Sequence, residues 1–297
     1  MLTPATGTSG QTSMAPKRGC SPECRDMSIS SAALRAAPYE THVAACREIL
    51  ADWPFDRERV RPGIAPTIPL HCTDPFLLAC RDLAQEHDLP MQIHLAETKV
   101  QADAAPVRYG HSLTAHLDGL GLLGRRLSVA HGIWLGPDDI AALARSGTTV
   151  VHNPASNARL GSGIAPVAAL RRAGVRVALG TDACNTSDHM SLFEVQRLAS
   201  YLSRLATPHP DDWLTPAEVI AMATAGGAAA LGAEDRLGRI APGYAADIVL
   251  LDLGRVRYAP LQAPLTQLVF GENGSAVTDT FIGGRAVYRN GRHTTVD

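Results

Sequence analysis

The chain has 297 residues, 45% of them hydrophobic, enough to bury a large core in one domain or in a domain with an appendage. A formal net charge of −2, scattered basic residues and only 5% aromatics argue against the basic and stacking surfaces of nucleic-acid binders. There is no run of about 18 apolar residues to span a membrane, and the first residues lack the apolar stretch of a secretory signal. Six cysteines, at 20, 24, 46, 72, 80 and 184, follow no framework spacing. They read as reduced thiols of a cytoplasmic protein. Cys20 and Cys24 lack the second cysteine pair of a metal knuckle.

Residues 1–35 are rich in Ser, Thr, Pro and Gly and show no period, so they read as a disordered or non-native leader. Over 36–235 short apolar strands alternate with amphipathic helices. Strands are expected at 63–69, 91–96, 127–131, 148–152 and 175–181, apolar enough for a buried parallel sheet. Helix starts are marked by Asp74-Pro75, Gly136-Pro137 and the capping box Thr215-Pro216-Ala217-Glu218. Repeated strand–helix units predict an α/β fold, a parallel sheet or a (β/α) barrel. Over 236–297 the texture changes. Strands expected at 239–254, 267–270, 277–282 and 286–288, joined by glycine-containing turns, make a small β appendage.

Four expected strands end in polar residues: Ile93-His94-Leu95-Ala96-Glu97, Val129-Ala130-His131, Val150-Val151-His152-Asn153 and Leu179-Gly180-Thr181-Asp182. In parallel strands joined by crossovers these ends face one rim, where catalytic groups gather. Imidazole and carboxylate together can hold Zn²⁺ and leave a position for water, whose pKa the metal lowers. A second carboxylate then moves protons, and Glu97 is placed for that. Asp182 can bind metal or accept a hydrogen bond from the attacking water. His131 can orient that water or polarise the substrate. Each residue also has a structural reading: a satisfied strand-end histidine, a helix cap at Asp182, a turn at Asn153-Pro154. His71 is either a rim residue or a loop residue. His87, His111 and His116 are expected at the surface, and His189 at the start of the next helix. Asn157 and Arg159 either touch substrate or cap the loop, and Trp134 either stacks on a ring or packs.

The motifs His94-Leu-Ala-Glu97-Thr, Ala130-His131-Gly, His152-Asn-Pro-Ala-Ser-Asn157, Leu160-Gly-Ser-Gly163 and Gly180-Thr-Asp182 together resemble the amidohydrolase superfamily. The resemblance is to its chlorohydrolase and aminohydrolase group. Ala228-Ala-Ala-Leu-Gly232, Gly238-Arg-Ile-Ala-Pro-Gly243 and Ala246-Asp247-Ile-Val-Leu extend it through the last third of the chain. It implies a partial (β/α)8 TIM-type barrel, strands four to eight, with half of a small β domain. It implies His94 and Asp182 as ligands to zinc, or to iron. Glu97 becomes the proton shuttle, His131 contacts the metal-bound water or the substrate, and His152 and Asn153 line the pocket. The implied reaction is hydrolysis of a non-peptide carbon–nitrogen bond, by deamination of an aminated nitrogen heterocycle. The partner is then a small molecule, with homo-oligomers possible.

One departure shapes what to expect. The superfamily's His-x-His pair of barrel strand one is absent, since no two of the eleven histidines are separated by one residue. The chain alone is therefore expected to bind metal weakly and to be impaired or inactive, as an incomplete gene product or as a binding module for a full-length homologue. A cyclic-amide hydrolase, which carries a metal-bridging lysine near strand four, is the other alternative. No lysine occurs between Lys17 and Lys99.

Overall fold

The computed structural model describes residues 38–57, 60–188 and 190–295. The expected leader, Cys20, Cys24 and His189 lie outside the described residues.

Four strands, β1 (Met91–Leu95), β2 (Leu127–His131), β3 (Thr149–His152) and β4 (Arg176–Leu179), form a parallel sheet in chain order. The register pairs Leu95 with His131 and His152 with Leu179, so the strands end nearly level. The face carrying Ile93, Val129, Val150 and Val177 in register is apolar and joins the core with the crossover helices, while the other carries Gln92, Ser128, Thr149 and Arg176. Ile93, Leu95, Leu127, Val129 and Val150 are almost wholly buried, together with Leu77, Leu83, Leu143 and Leu170 from the helices.

Those helices start where the sequence signals them. Thr73 caps Asp74–Glu86, and Thr98 with Gln101 forms a capping box on Lys99–Tyr109. Thr215 with Glu218 does the same for Pro216–Ala221.

The fifth expected strand, 63–69, is reduced to a parallel bridge between Ile64 and Met91. Backbone bonds still run along it, from Gln92 N–H to the Ile64 carbonyl and from His94 N–H to the Thr67 carbonyl, both 3.0 Å. Pro62, Pro66 and Pro69 cannot donate, which prevents a full ladder. The α/β class is borne out, as a four-stranded parallel sheet with one bridged segment.

The C-terminal strands β5 (Ile248–Leu251), β6 (Val277–Ile282), β7 (Arg285–Arg289) and β8 (Arg292–His293) form a separate antiparallel sheet in chain order. Only 248–251 of the expected 239–254 strand is extended. The run at 267–270, expected as a strand, lies in the helix Pro264–Gly271. Pro264 suits a first turn, and Gln267 Oε1 accepts from the N–H groups of Gln262 and Ala263. Phe270 then packs against Tyr201 of Leu192–Ala206, ring centroids 5.5 Å apart.

His116 also departs from expectation. It is buried, stacked on Tyr109 at 3.7 Å between centroids, and 2.9 Å from Asp74 Oδ1. His71 stands exposed in a short 3-10 turn, Pro69–His71. Cys46, Cys72, Cys80 and Cys184 are free thiols, and burial pushes Cys80 up to about 12. No helix among the described residues is long and apolar enough to cross a membrane.

Candidate active site

The polar residues at the ends of β1, β2 and β4 do converge. His131, at the end of β2, is almost completely buried, with Nε2 3.9 Å from Glu97 Oε2 and 3.8 Å from Asp182 Oδ2. Its ring stacks on that of His94, with centroids 5.4 Å apart and planes 20° from parallel. These four residues come from β1, β2 and the segment after β4, and they share one small volume.

Backbone geometry turns the chain into this rim. Ala96, His131 and Asp182 have φ of 47°, 73° and 61°, in the left-handed region that L-residues with side chains seldom occupy. Ala96 directly follows β1, His131 is the last residue of β2, and Asp182 lies three residues past β4. The turn at Ala96 aims Glu97 inward, and Glu97 N–H donates to Gln101 Oε1 at 2.9 Å. The Ala96 carbonyl accepts from the N–H groups of Ile133 and Trp134, locking the β1 and β2 ends together.

Hydrogen bonds orient each functional group. His94 Nδ1 lies 2.7 Å from the Thr67 carbonyl, which can only accept, so Nδ1 carries the proton and Nε2 keeps its lone pair. A backbone carbonyl behind the ring in this way sets up an imidazole to bind a metal. Partial burial pushes the Asp182 carboxyl up. The Ser156 hydroxyl at 2.6 Å and the Ala183 N–H at 2.7 Å, with the positive charge that His131 and His94 carry when protonated, outweigh it and hold the pKa below its ordinary value. Asp182 is thus a carboxylate at neutral pH.

The expected pocket residues separate. His152 is buried beside Ile164, Ala165, Ala199 and Leu202, with Nδ1 unpartnered among the described residues. Burial, helped by His131, lowers its pKa to about 4, so it is neutral. Asn153 is buried, its Oδ1 also without a partner. Trp134 is 40% exposed, donates from Nε1 to the Ser162 carbonyl at 2.9 Å and has Lys99 Nζ over its ring, 5.8 Å from the centroid. Arg159 pairs with Asp188. Ser156, Asn157 and Thr67 contact the site residues directly without having been assigned such roles from the sequence.

The donor set has the right chemistry for a divalent metal but falls short of a complete site. Among the described residues no three His, Cys, Asp or Glu side chains come together in a metal-holding arrangement. His94 and Asp182 are two of the three protein ligands usual for catalytic zinc.

The relatives of this chain point the same way. The Amidohydrolase family pattern matches residues 12–287. A 5-methylthioadenosine/S-adenosylhomocysteine deaminase from Syntrophobacter fumaroxidans is 37% identical over 261 residues, covering 88% of this chain and 59% of its own length. A 5'-deoxyadenosine deaminase from Methanothermobacter thermautotrophicus is 36% identical over 234 residues, 79% of this chain and 54% of its own. Among solved structures, a zinc-bound adenosine deaminase from Xanthomonas campestris superposes with a TM-score of 0.83 at 33% identity, covering 87% of this chain and 58% of its own. A zinc complex of atrazine chlorohydrolase from Arthrobacter aurescens gives 0.82 at 27% identity, covering 88% and 58%. The chain spans under three fifths of the length of these relatives. Family match, identity and the level strand ends agree: this chain belongs to the Amidohydrolase family.

Proposed function

We propose that the chain carries the proton-transfer half of a metal-dependent aminohydrolase site that deaminates an aminated nitrogen heterocycle. The observation that carries this reading is the His131 imidazole standing 3.9 Å from Glu97 and 3.8 Å from Asp182 across the ends of parallel strands. The relatives named as deaminases act on adenosine-type nucleosides, so a 6-aminopurine nucleoside is the substrate class of choice. Barrel geometry for the parallel sheet, strands four to eight, has support in the superpositions. Residues 36–235 are then the hydrolase portion and 236–297 the small β portion.

In this reading Glu97 takes one proton from the attacking water and delivers it to the ring nitrogen as the carbon–oxygen bond forms; the second water proton then goes to the amine, which leaves as ammonia as the carbon–nitrogen bond breaks. Asp182 accepts a hydrogen bond from that water. Preorganised groups of this kind stabilise charge that develops only in the transition state. Trp134 offers its ring to the heterocycle, and His152 and Asn153 form the buried floor.

Zinc is the metal this reading calls for, with iron the alternative; zinc accompanies two of the solved relatives. His94 and Asp182 supply two donors, one short of the three protein ligands usual for catalytic zinc. The 297-residue chain alone is therefore expected to hold metal weakly and turn over slowly or not at all.

The test uses the chain and a fusion in which the preceding segment of the Syntrophobacter relative is joined to it. Zinc content and ammonia release from 5'-methylthioadenosine, S-adenosylhomocysteine and adenosine are measured for both. The expected result is zinc and ammonia release in the fusion and little of either in the chain. A fusion that binds zinc and releases no ammonia would overturn the deaminase reading. One tightly held zinc per unfused chain, with turnover, would overturn the weak-metal reading.

A further inference from the structure

We propose that Asn157 is a positioning residue that fixes His131 as the Nδ1–H tautomer, so that its Nε2 lone pair faces the reacting water. The proposal rests on the reading of this site given above and decides what that reading left open, whether His131 orients water or polarises substrate.

Asn157 Oδ1 lies 2.8 Å from His131 Nδ1, and both side chains are almost fully buried. An amide oxygen only accepts, so the proton on that side belongs to the ring. Asn157 is held firmly enough to impose this. It lies in the short helix Pro154–Arg159, its N–H donates to the Asn153 carbonyl, and its own carbonyl accepts from Ser162, both at 2.9 Å.

The far side of the ring leaves room for a guest. His131 Nε2 stands 3.9 Å from Glu97 and 3.8 Å from Asp182, beyond direct hydrogen-bond reach of either. Three acceptors around one gap make a seat for a species rich in protons, which suits the attacking water and the departing ammonia. The adjacent Ser156 sets Asp182 in the same way, donating from Oγ to Oδ2 at 2.6 Å. One dipeptide on one short helix thus orients two groups carried by β2 and by the segment after β4. Asn157 Nδ2 is buried without a partner among the described residues, the local cost of turning the oxygen towards the ring.

The test is a long-range proton–nitrogen correlation spectrum of the full chain labelled with ¹⁵N-histidine, under mildly alkaline conditions. The His131 signal is identified by its loss in His131→Gln. The expected wild-type pattern is Nδ1–H with an unprotonated Nε2. Asn157→Leu is expected to lose that single tautomer, and Asn157→Asp to keep it, because a carboxylate accepts the same bond. A wild-type Nε2–H pattern overturns the proposal, and so does an Asn157→Leu chain that keeps the Nδ1–H form. If Asn157→Leu does not fold, the wild-type spectrum alone decides. Because the imidazole itself is read, missing ammonia release would count only against the deaminase reading.

Discussion

The side-chain oxygen of Asn153 occupies the space over Gly180, 2.5 Å from where a Cβ at that position would stand. Val151 Cγ1 closes the same space at 2.8 Å. The glycine of the Gly180-Thr-Asp182 motif is therefore required by its neighbour on β3, and it lets the segment bearing Asp182 pass close to that strand. Gly180→Ala is expected to destabilise the fold by about 1–3 kcal/mol, the usual cost of overpacking. Chemical denaturation checks it. An unchanged midpoint would show that Asn153 yields freely.

Glu97 is the residue whose loss should separate chemistry from binding. In the fusion protein, Glu97→Gln keeps the shape of the side chain and removes its capacity to carry a proton. Ammonia release is expected to fall about 10²–10⁴-fold with little change in KM. Steady-state kinetics on 5'-methylthioadenosine measure both, and a loss confined to KM would reassign Glu97 to substrate binding.

His152 should leave a mark on acid stability. Its folded pKa, about 4, lies below the ordinary histidine value of 6.5, because burial and His131 disfavour the charged ring. The unfolded chain therefore takes up a proton that the folded chain refuses. Stability is fully present above about pH 6.5 and declines as pH falls towards 4, by on the order of 3 kcal/mol in all. The carboxylates with lowered values, Glu86, Asp182, Asp212, Glu218, Glu234 and Glu272, act only below their own unfolded values of 3.8 to 4.5. Replacing His152 by Gln is expected to flatten the fall between pH 6.5 and 5, read from denaturation midpoints across pH. A slope identical to wild type would remove His152 as its source.

Tyr258 and Glu272 form a buried pair far from the rim in sequence. The hydroxyl donates to Glu272 Oε2 at 2.8 Å, while Oε1 accepts from the N–H groups of Asn273, Gly274 and Ala276. Glu272 has no exposed surface. Tyr258→Phe leaves Oε2 of a buried carboxylate short of its donor, and a loss of about 1.5–3 kcal/mol is expected. Thermal melting of the variant tests this; an unshifted midpoint would mean another donor takes over.

The rim was legible from the sequence because its signal is local. A polar residue directly after an apolar run marks a strand end, and parallel strands put such ends on one side. His94, Glu97, His131 and Asp182 were found this way, and the structure brings them together. Ser156 and Asn157 were not assigned their roles, because their partners lie 26 residues away and only the packed helix 154–159 brings them near. The run at 267–270 is apolar enough for either a strand or a helix, and periodicity over four residues cannot choose. Pro264 and the contact with Leu192–Ala206 decided it. His116 looked like a surface residue because its ring partner Tyr109 and its carboxylate partner Asp74 sit on two other helices.

The left-handed turns at Ala96, His131 and Asp182 reach beyond the aim of their own side chains. Each is a conformation that costs of order 1–3 kcal/mol and persists only where packing around it leaves no alternative. Three of them, beside the ends of β1, β2 and β4, mean that the backbone of this rim is held in shape by the packed fold itself. The corners therefore tolerate new side chains only within an unmoved backbone.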